Sequence, residues 1–420
     1  MTRETPRGGR ARLGLVQALR QSDWLGPSRA KAYRNILLGV SLIDVLAWIG
    51  LSRGGVDPTG KLLGTDFLSF YAASKLALAG DPAGVYSMAV HRAAEISVFG
   101  RDVGYAAFFY PPLFLLVCAP LALLPYFAAL LVWLGASGAA FVVSVSRWFD
   151  NRFGWSTVAA FPGVLLNIGH GQNAFLTTAL FGLGGYWLES RPILAGAAFG
   201  LLAFKPHLGL LIPLALICRG RWKTIVAASG TVLVFVGVSV ATFGPATWRA
   251  FLAGSATARA TLEQGLVDPG KMVSTFAAVR VVGGPNAVAW AVQGAVTLMV
   301  GAALVVAIRR TSNVRAEGAL IILACLLGTP FLLDYDLTIL AIPLAWLAAE
   351  GLQNGFRPWE KFALLLAFVL PVVARGLAMA IHLPVAPAVL LFLFFISLQR
   401  ALRPATSGPS NSSIGAPDPA

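Results

Sequence analysis

The sequence predicts an all-α polytopic membrane protein, a bundle of about twelve transmembrane helices within a range of roughly 10 to 13. Of its 420 residues, 57% are hydrophobic and only 12% are charged, and that charged share is about half of what soluble domains carry. Apolar runs of about 15–22 residues, the length that a membrane-crossing helix requires, recur from position 35 to 398. We therefore expect one integral membrane domain over residues 35–400.

The positive charge of the chain indicates its orientation in the membrane and not a nucleic-acid partner. The formal net charge is +14, but the cations cluster before the first apolar run and at the ends of later ones, which is the positive-inside pattern. Residues 1–34 are too polar and too long for the start of a signal peptide, and we expect a basic cytosolic tail. Residues 401–420, rich in Pro, Ser and Gly, predict a disordered cytosolic tail.

The first span, about 35–51, leads from the cytosol to an outer loop over 52–110. This loop contains two stretches that predict short helices lying along the membrane surface. The next segment, "YPPLFLLVCAPLALLPY" over 110–126, has an apolar run of only about 13 residues, interrupted by Pro120, and predicts a re-entrant segment. A re-entrant path leaves the arginines of "RWFDNR" in the cytosol, whereas a crossing path would place them outside.

The remaining spans are placed between polar segments that lie alternately on the outer and the cytosolic side, with the strongest Lys and Arg clusters on the cytosolic side. A second span covers 127–145, and a second outer loop covers 244–286. Several of these spans have only about 12 apolar residues, so the number of crossings is approximate. Both chain ends fall in the cytosol when the spans are taken as 154–168, 174–188, two short ones on either side of "KPH", 224–243, and five more after 286.

With this threading, the unusual polar residues gather on the outer side of the membrane. Ionisable groups at such depth are costly unless they face a cavity or a partner, so the grouping predicts one polar cavity that opens outward. The residues are Asp66, Asp81, Tyr110, His170, Gln172, Asn173, Lys205, His207, Asp334 and Asp336.

The same polar residues also suit purely structural roles. Asp66 is a favoured residue type for capping a helix that begins at 67, and Lys205 has a stem long enough to reach the interface. Further structural roles of this kind are a plain turn at Asp81, caps at Gln172 and Asn173, a tight turn flanked by Asp334 and Asp336, and pairing of Asp44 with a neighbouring helix.

No segment has the spacing of a metal or soluble catalytic motif. "HGQN" and "DYD" lack strong metal-ligand spacing, and the sequence contains no Walker loop, GxSxG or HExxH. The three cysteines, Cys118, Cys218 and Cys325, lie scattered in apolar runs and predict neither a disulfide framework nor a metal site. We expect no cofactor beyond the substrates, and the sequence leaves open whether a divalent ion assists.

Several stretches together resemble glycosyltransferase family 87. They are "TDFLSFYAASKLALAGDPAGVYS", "YPPLFLLVCAPLALLPY", "GQNAFLTTALFGLGGYWLESRPILAGAAFGLLAFKPHLGLLIPLAL" and "TPFLLDYDL". That family contains polyprenol-phosphate-mannose-dependent mannosyltransferases, within the GT-C superfamily of integral membrane enzymes. The resemblance extends over about 66–347, and the succession GQN, RP, AG and KP is its most specific part. It implies inverting transfer of a hexose, mannose above all, on the outer face of the plasma membrane.

The resemblance also implies roles for the polar residues. Asp66 corresponds to the essential acid of the first outer loop and would act as general base on the acceptor hydroxyl. Lys205, with His207 or Arg375 in support, would bind the donor phosphate. The expected partners are a polyprenyl-phosphate sugar donor, a lipid or glycan acceptor and membrane lipids. Side chains expected to hold the sugar or the acceptor are Tyr110, His170, Gln172, Asn173, Asp334 and Asp336.

Two other functional classes remain as alternatives at this point. A multispanning transporter or lipid-linked-sugar flippase typically has internal repeats and polar sites at mid-membrane, but the two halves show no convincing repeat and the polar groups lie at one face. A non-catalytic membrane scaffold would not need converging carboxylates and a lysine. A separation of Asp66 and Lys205 beyond about 15 Å would weigh against an enzyme, because both must contact one phosphosugar.

Overall fold

A computed structural model of the protein describes residues 7–149, 154–265 and 267–403. Across these ranges the chain is helical, with three isolated β-bridges. The tail predicted as disordered lies, from residue 404 onward, outside the described residues. The helices are α1 Arg7–Gln21, α2 Pro27–Leu51, α3 Phe67–Leu78, α4 Met88–Phe99, α5 Leu113–Cys118, α6 Tyr126–Ser146, α7 Gly154–Ala159, α8 Pro162–His170, α9 Ala174–Tyr186, α10 Pro192–Leu201, α11 Ile212–Arg219, α12 Trp222–Glu263, α13 Thr275–Val281, α14 Asn286–Arg310, α15 Val314–Gly328, α16 Ala341–Asn354, α17 Glu360–Ile381 and α18 Ala386–Leu402.

Six helical segments in the described ranges are long and apolar enough to cross a membrane. This agrees with a polytopic membrane protein, but it does not establish the expected count of about twelve spans. The other expected spans form shorter helices: α9 has 13 residues, which extend about 20 Å against a hydrocarbon thickness of about 30 Å. The six segments are Pro27–Leu51, Tyr126–Ser146, Trp222–Ser255, Asn286–Arg310, Asp334–Asn354 and Glu360–Ile381.

The N-terminal segment, whose sequence predicted a basic cytosolic tail, contains helices. Both α1 and the beginning of α2 lie within the stretch expected to be a cytosolic tail. No residue of α2 is buried, so this helix makes few contacts with the rest of the chain. Asp44, on α2, is exposed and has no ion-pair partner among the described residues, and its expected pairing with a neighbouring helix is therefore not found there.

Helix α3 is enclosed by other parts of the protein, and its predicted position along the membrane surface stays a prediction. Its residues 67–74 are all buried, because the stretch "FLSFYAAS" offers no polar face that could be left in water. Phe70 packs edge-on against Phe114 and Trp133, with ring centroids 5.2 and 5.8 Å away. The helix that begins at the proposed base is thus fixed in position by an aromatic core.

The segment expected to be re-entrant is a short helical piece. Helix α5 has six residues and continues as a five-residue 3-10 turn over Ala119–Leu123. The change of geometry comes at Pro120, which lacks the backbone N–H that an α-helix would use. Because the combined length is below what a span requires, the segment has the dimensions of the expected re-entrant element. Its path relative to a membrane stays a prediction.

Helix α12 extends the expected seventh span into the expected second outer loop. It has 42 residues and bends at Gly244, whose φ of 79° and ψ of 160° are not helical. Pro245 follows the bend and starts the second half, which continues to Glu263. The first part of the predicted outer loop is therefore a helix, and the bend redirects it away from the axis of the span.

Helix α15 lies at the centre of the molecule and separates two groups of charges. Its residues 316–328 are all buried. At its first turn Glu317, fully buried, accepts two hydrogen bonds from Arg221 at 2.7 and 2.6 Å. The chain beyond its other end leads to the 3-10 segment Asp334–Leu340. Since fifteen helical residues extend about 22 Å, the two charged groups lie at opposite ends of the bundle.

Candidate functional site

The Asp66 carboxylate does not cap the helix that follows it. Asp66 occupies the N-cap position of α3, yet its side chain accepts no hydrogen bond from that helix. Its Oδ2 atom instead accepts a hydrogen bond from Nε2 of Gln172 at 3.1 Å and lies 3.5 Å from Nδ1 of His170. The Asp66 backbone N–H donates to the His170 carbonyl at 2.9 Å. The carboxylate is thus held against the turn between α8 and α9.

That turn requires a glycine. Gly171 has a φ of 64°, and a Cβ atom there would lie 2.7 Å from the Cβ of Phe67. Any larger residue would be strained in its backbone and would push α3 away from the turn. The close approach is what brings His170 and Gln172, on either side of Gly171, to the Asp66 carboxylate.

The Asp66 carboxylate and the His170 imidazole each shift the pKa of the other towards the charged form. Burial acts to raise the pKa of Asp66, but the hydrogen bond and charge of His170, the Gln172 amide and the positive charge of Lys271 lower that pKa below its ordinary value. Burial acts to lower the pKa of His170, but Asp66 raises it above its ordinary value. Because the two side chains are 30% and 25% exposed, the ionised carboxylate is accessible.

Tyr110 sets the orientation of Gln172. The Tyr110 hydroxyl donates to Oε1 of Gln172 at 3.2 Å, and the backbone N–H of Asn173 donates to the same atom at 3.0 Å. With its oxygen occupied, the Gln172 amide must direct its nitrogen towards Asp66. The side-chain amide of Asn173 is fully buried, and neither of its polar atoms has a hydrogen-bond partner in the described ranges.

The expected helix caps at Gln172 and Asn173 are not formed by their side chains. The residue that caps the start of α9 is Asn167, whose Oδ1 accepts the Ala174 N–H at 3.0 Å. The side-chain amides of Gln172 and Asn173 therefore accept no hydrogen bond from the backbone of helix α9. The Gln172 side chain donates a hydrogen bond to the Asp66 carboxylate instead.

Lys205 is buried inside the protein. Its Nζ atom donates to Oδ1 of Asp336 at 2.7 Å, and the two side chains are only 3% and 2% exposed. Asp336 Oδ2 also accepts the Leu333 N–H at 3.2 Å. Two buried opposite charges compensate each other, so the Lys205 ammonium is engaged within the protein.

A second ion pair lies beside the first. Arg375, on α17, donates from Nη1 to Oδ2 of Asp334 at 3.2 Å. Asp334 is 4% exposed and Arg375 is 29% exposed, so the guanidinium keeps an accessible edge. His207 is half-buried, with its ring centroid 5.8 Å from that of Phe331.

Tyr335 connects these pairs, although the sequence suggested no role for it. Its ring centroid is 5.1 Å from Lys205 Nζ and 5.8 Å from the His170 ring centroid. Asp66 and Lys205 are therefore linked through two intervening side chains. The only available signal was its place between two carboxylates. The residues that the structure brings together around Tyr335 are Asp66, Tyr110, His170, Gln172, Asn173, Lys205, His207, Asp334, Asp336 and Arg375.

The segment predicted to be the second outer loop, 244–286, also reaches this cluster. Met272 forms an antiparallel β-bridge with Leu333, and the Val273 N–H donates to the Leu332 carbonyl at 2.8 Å. These bonds place Lys271 next to the segment that carries Asp334. Lys271 is exposed, and its charge acts on Asp66. No motif in the sequence of this loop pointed to it.

Asp81 lies outside the polar cluster, near the C-terminal end of helix α3. Its Oδ1 accepts the Gly84 N–H at 2.9 Å, which confirms the plain turn expected there. It lines a hollow of about 600 Å³ between the end of α3 and the bend of α12. Since α3 has 12 residues, this hollow lies about 17 Å along the helix from Asp66, and Asp81 is not part of the polar cluster.

The cluster is built of paired charges and hydrogen-bonded amides. Among the described residues, no three His, Cys, Asp or Glu side chains are grouped so that they could hold a metal ion. Its accessible groups are the Asp66 carboxylate, the His170 imidazole and the edge of the Arg375 guanidinium. Such a set can take a proton from a hydroxyl and can neutralise an anion.

The sequence model of glycosyltransferase family 87 matches residues 108–333, more than half of the chain. The match includes Tyr110, the turn from His170 to Asn173, and Lys205, whereas Asp66 and Arg375 lie outside it. No curated protein and no solved structure matches the chain.

Proposed function

The chain belongs to glycosyltransferase family 87, and on this premise we propose that it transfers a hexose, in the first instance mannose, from a polyprenyl-phosphate donor. The acceptor is a lipid or a glycan, and the reaction takes place at the outer face of the plasma membrane. The observation that carries the proposal is the Asp66 carboxylate, which is ionised, partly exposed and held by His170 and Gln172.

The proposed reaction is a single displacement with Asp66 as general base. The acceptor hydroxyl oxygen attacks the anomeric carbon while its proton passes to Asp66. The bond between the anomeric carbon and the phosphate oxygen breaks, and the polyprenyl phosphate leaves with the electron pair. Attack from the face opposite the leaving group inverts the anomeric configuration. All atoms come from the donor and the acceptor.

His170 and Gln172 support this step by orienting the base. Gln172 donates to Oδ2 of Asp66, and its own oxygen is fixed by Tyr110. The His170 imidazole and the Asp66 carboxylate each favour the charged form of the other. Because a hydrogen-bonded, charge-paired carboxylate has one preferred orientation, the acceptor meets it without reorganisation.

The remaining polar groups suit a phosphosugar. The accessible edge of Arg375 can neutralise charge that develops on the departing phosphate. The Asn173 amide and the carboxylates of Asp334 and Asp336 have hydrogen-bonding capacity that matches sugar hydroxyls. A polyprenyl chain stays in the bilayer while its phosphosugar lies at headgroup level, so a site at one end of the helix bundle fits a donor of this kind.

The donor class can be tested with purified protein in lipid nanodiscs. Polyprenyl-phosphate-mannose, polyprenyl-phosphate-glucose and a nucleotide-linked mannose are each supplied with a crude acceptor lipid extract, and sugar transfer is measured by mass spectrometry. We expect transfer from a polyprenyl-phosphate donor, fastest with mannose, and none from the nucleotide sugar. Transfer from the nucleotide sugar alone, or from none of the donors, would contradict the proposal.

A further inference from the structure

We propose that Lys271, in the second outer loop, contacts the phosphate of the lipid-linked donor; this inference rests on the proposed function. It assigns the donor-binding charge to a residue that the family model covers but that no motif singled out. It also gives the second outer loop a function at the same site, where the loop contributes a cation.

The other cations of the cluster already have carboxylate partners. Lys205 is paired with Asp336 inside the protein. Arg375 is paired with Asp334, and His170 with Asp66. For Lys205, contact with a donor phosphate requires that a buried ion pair open and leave Asp336 without compensation, which is unfavourable. The donor phosphate is therefore better matched by a cation that has no partner to give up.

Lys271 is such a cation. Its side chain is exposed, and no carboxylate among the described residues forms an ion pair with it. It nevertheless lies close enough for its charge to act on Asp66. A group with this position can approach the leaving phosphate while the anomeric carbon faces Asp66.

The backbone around Lys271 is fixed on three sides. The Lys271 N–H donates to the Asp268 carbonyl at 2.9 Å, and the Asp268 side chain accepts the Gly270 N–H at 2.8 Å. A Cβ atom on Gly270 would lie 2.6 Å from Cγ of Met379, one helical turn beyond Arg375 on α17. On the other side, Met272 bridges to Leu333. The loop is thus anchored while the Lys271 side chain stays free to bind.

The chemistry of a lysine suits this task. Its ammonium is a compact charge on a flexible stem and binds phosphate as a point charge without fixed geometry. The stem can follow the phosphate as the bond to the sugar lengthens. A contact that is present both before and during the reaction contributes mainly to donor affinity, so its loss should raise KM for the donor and change kcat little.

The test compares wild type with Lys271→Ala, Lys271→Arg and Lys61→Ala, the last as a control. Lys61 is an equally exposed lysine in the first outer loop, and the structure gives its side chain no contact with the cluster. Loss of one charge-assisted phosphate contact should raise KM for the donor about 10- to 100-fold. KM for the acceptor should stay within about threefold, because the lost contact is to the donor alone. Lys271→Arg should recover most of the donor affinity, and Lys61→Ala should match wild type.

A second measurement uses ligands without a sugar. Thermal stabilisation by a short-chain polyprenyl monophosphate is compared with stabilisation by the neutral polyprenol. We expect Lys271→Ala to lose the extra stabilisation that the phosphate confers on wild type and to respond to polyprenol as wild type does. If Lys271→Ala keeps the extra stabilisation by the phosphate, or loses the response to polyprenol together with it, the inference is overturned, because a phosphate contact predicts loss of the phosphate-dependent part alone.

The two proposals fail in different ways. If wild type neither transfers sugar from polyprenyl-phosphate donors nor is stabilised by polyprenyl phosphate, the proposed donor is wrong and the inference falls with it. If wild type does both and Lys271→Ala has an unchanged KM for the donor, the inference alone is wrong.

Discussion

The Asp66–His170 pair sets the pH range over which the proposed base is ionised. The pKa of Asp66 is lowered from 3.8 and that of His170 is raised from 6.5. Asp66 therefore stays ionised throughout the neutral range. As the pH rises through the raised pKa of His170, the imidazole loses its proton and the ion pair that orients Asp66 weakens. We expect activity to be highest between these two limits.

Substitution of His170 should change the shape of the pH profile. In His170→Gln no positive charge from this position lowers the pKa of Asp66, so the loss of activity on the acid side should move to higher pH, towards the ordinary value of a carboxyl group. The alkaline decline caused by His170 should disappear, with activity at neutral pH reduced by about tenfold. The measurement is kcat/KM from about pH 2.5 to about pH 9, a range that includes the acid side of an Asp66 carboxyl group. A profile that falls in height but keeps both limbs would show that His170 does not control the ionisation of Asp66.

The buried pair of Lys205 and Asp336 should be critical for stability. Lys205→Met leaves the Asp336 carboxylate buried without compensation, which should lower the free energy of unfolding by about 3–5 kcal/mol. The double variant Lys205→Met/Asp336→Leu should lose much less than the two single variants together. Denaturant unfolding in detergent checks both. The exposed pair of Arg92 and Asp102 is the control, and Arg92→Met should change stability too little to measure. Additive losses would contradict the pairing.

Single residues of the site were predictable where they interrupt apolar sequence. Polar groups at such positions need a partner or a cavity, and this argument identified Lys205 and Asp336. It could not identify them as partners, because they are 131 positions apart and only the tertiary structure brings them together. The roles of Tyr335 and Lys271 were not predictable for another reason. An aromatic residue in a turn and a lysine in a loop are common in proteins, so neither indicates a functional site.

Among the helices, the bend of α12 depends on one glycine. Gly244 has a positive φ, and a Cβ atom there would meet nothing within 4 Å. Gly244→Ala should therefore lower stability by about 1–2 kcal/mol through backbone strain alone. Gly230→Ala, in the same helix with an equally open surrounding, should be neutral or slightly stabilising because alanine favours helix. The melting temperatures of both variants test this. Equal effects would indicate that the bend does not require Gly244.

The presence of a helix was easier to predict than the residue at which it ends. Long apolar runs marked α6 and α14, and Pro120 marked the break after α5. The sequence did not predict the burial of α3 or the continuation of α12 past Gly244. Hydropathy reports how apolar a segment is, but a helix enclosed by protein and one at a membrane surface can have the same composition. Proline and glycine likewise allow a bend as readily as an end.

In the part of the chain that the structure describes, two groups of paired charges lie beyond the opposite ends of helix α15. At one end Glu317 forms ion pairs with Arg219 and Arg221, so that these charges compensate one another. The other end has the cluster around Tyr335, where Asp66 and Arg375 keep exposed edges. The asymmetry favours one accessible polar site at one end of the bundle, as a donor carried by the membrane requires.

The measurement that tests the proposed mechanism most directly is transfer from polyprenyl-phosphate-mannose by wild type and by Asp66→Asn. Asparagine keeps the shape of the side chain but cannot take a proton, so kcat should fall by about 10²-fold or more. Asp102→Asn, which changes an exposed carboxylate of the same outer loop, should keep wild-type activity. Equal transfer by wild type and Asp66→Asn would contradict the account, because Asp66 would then not be the base.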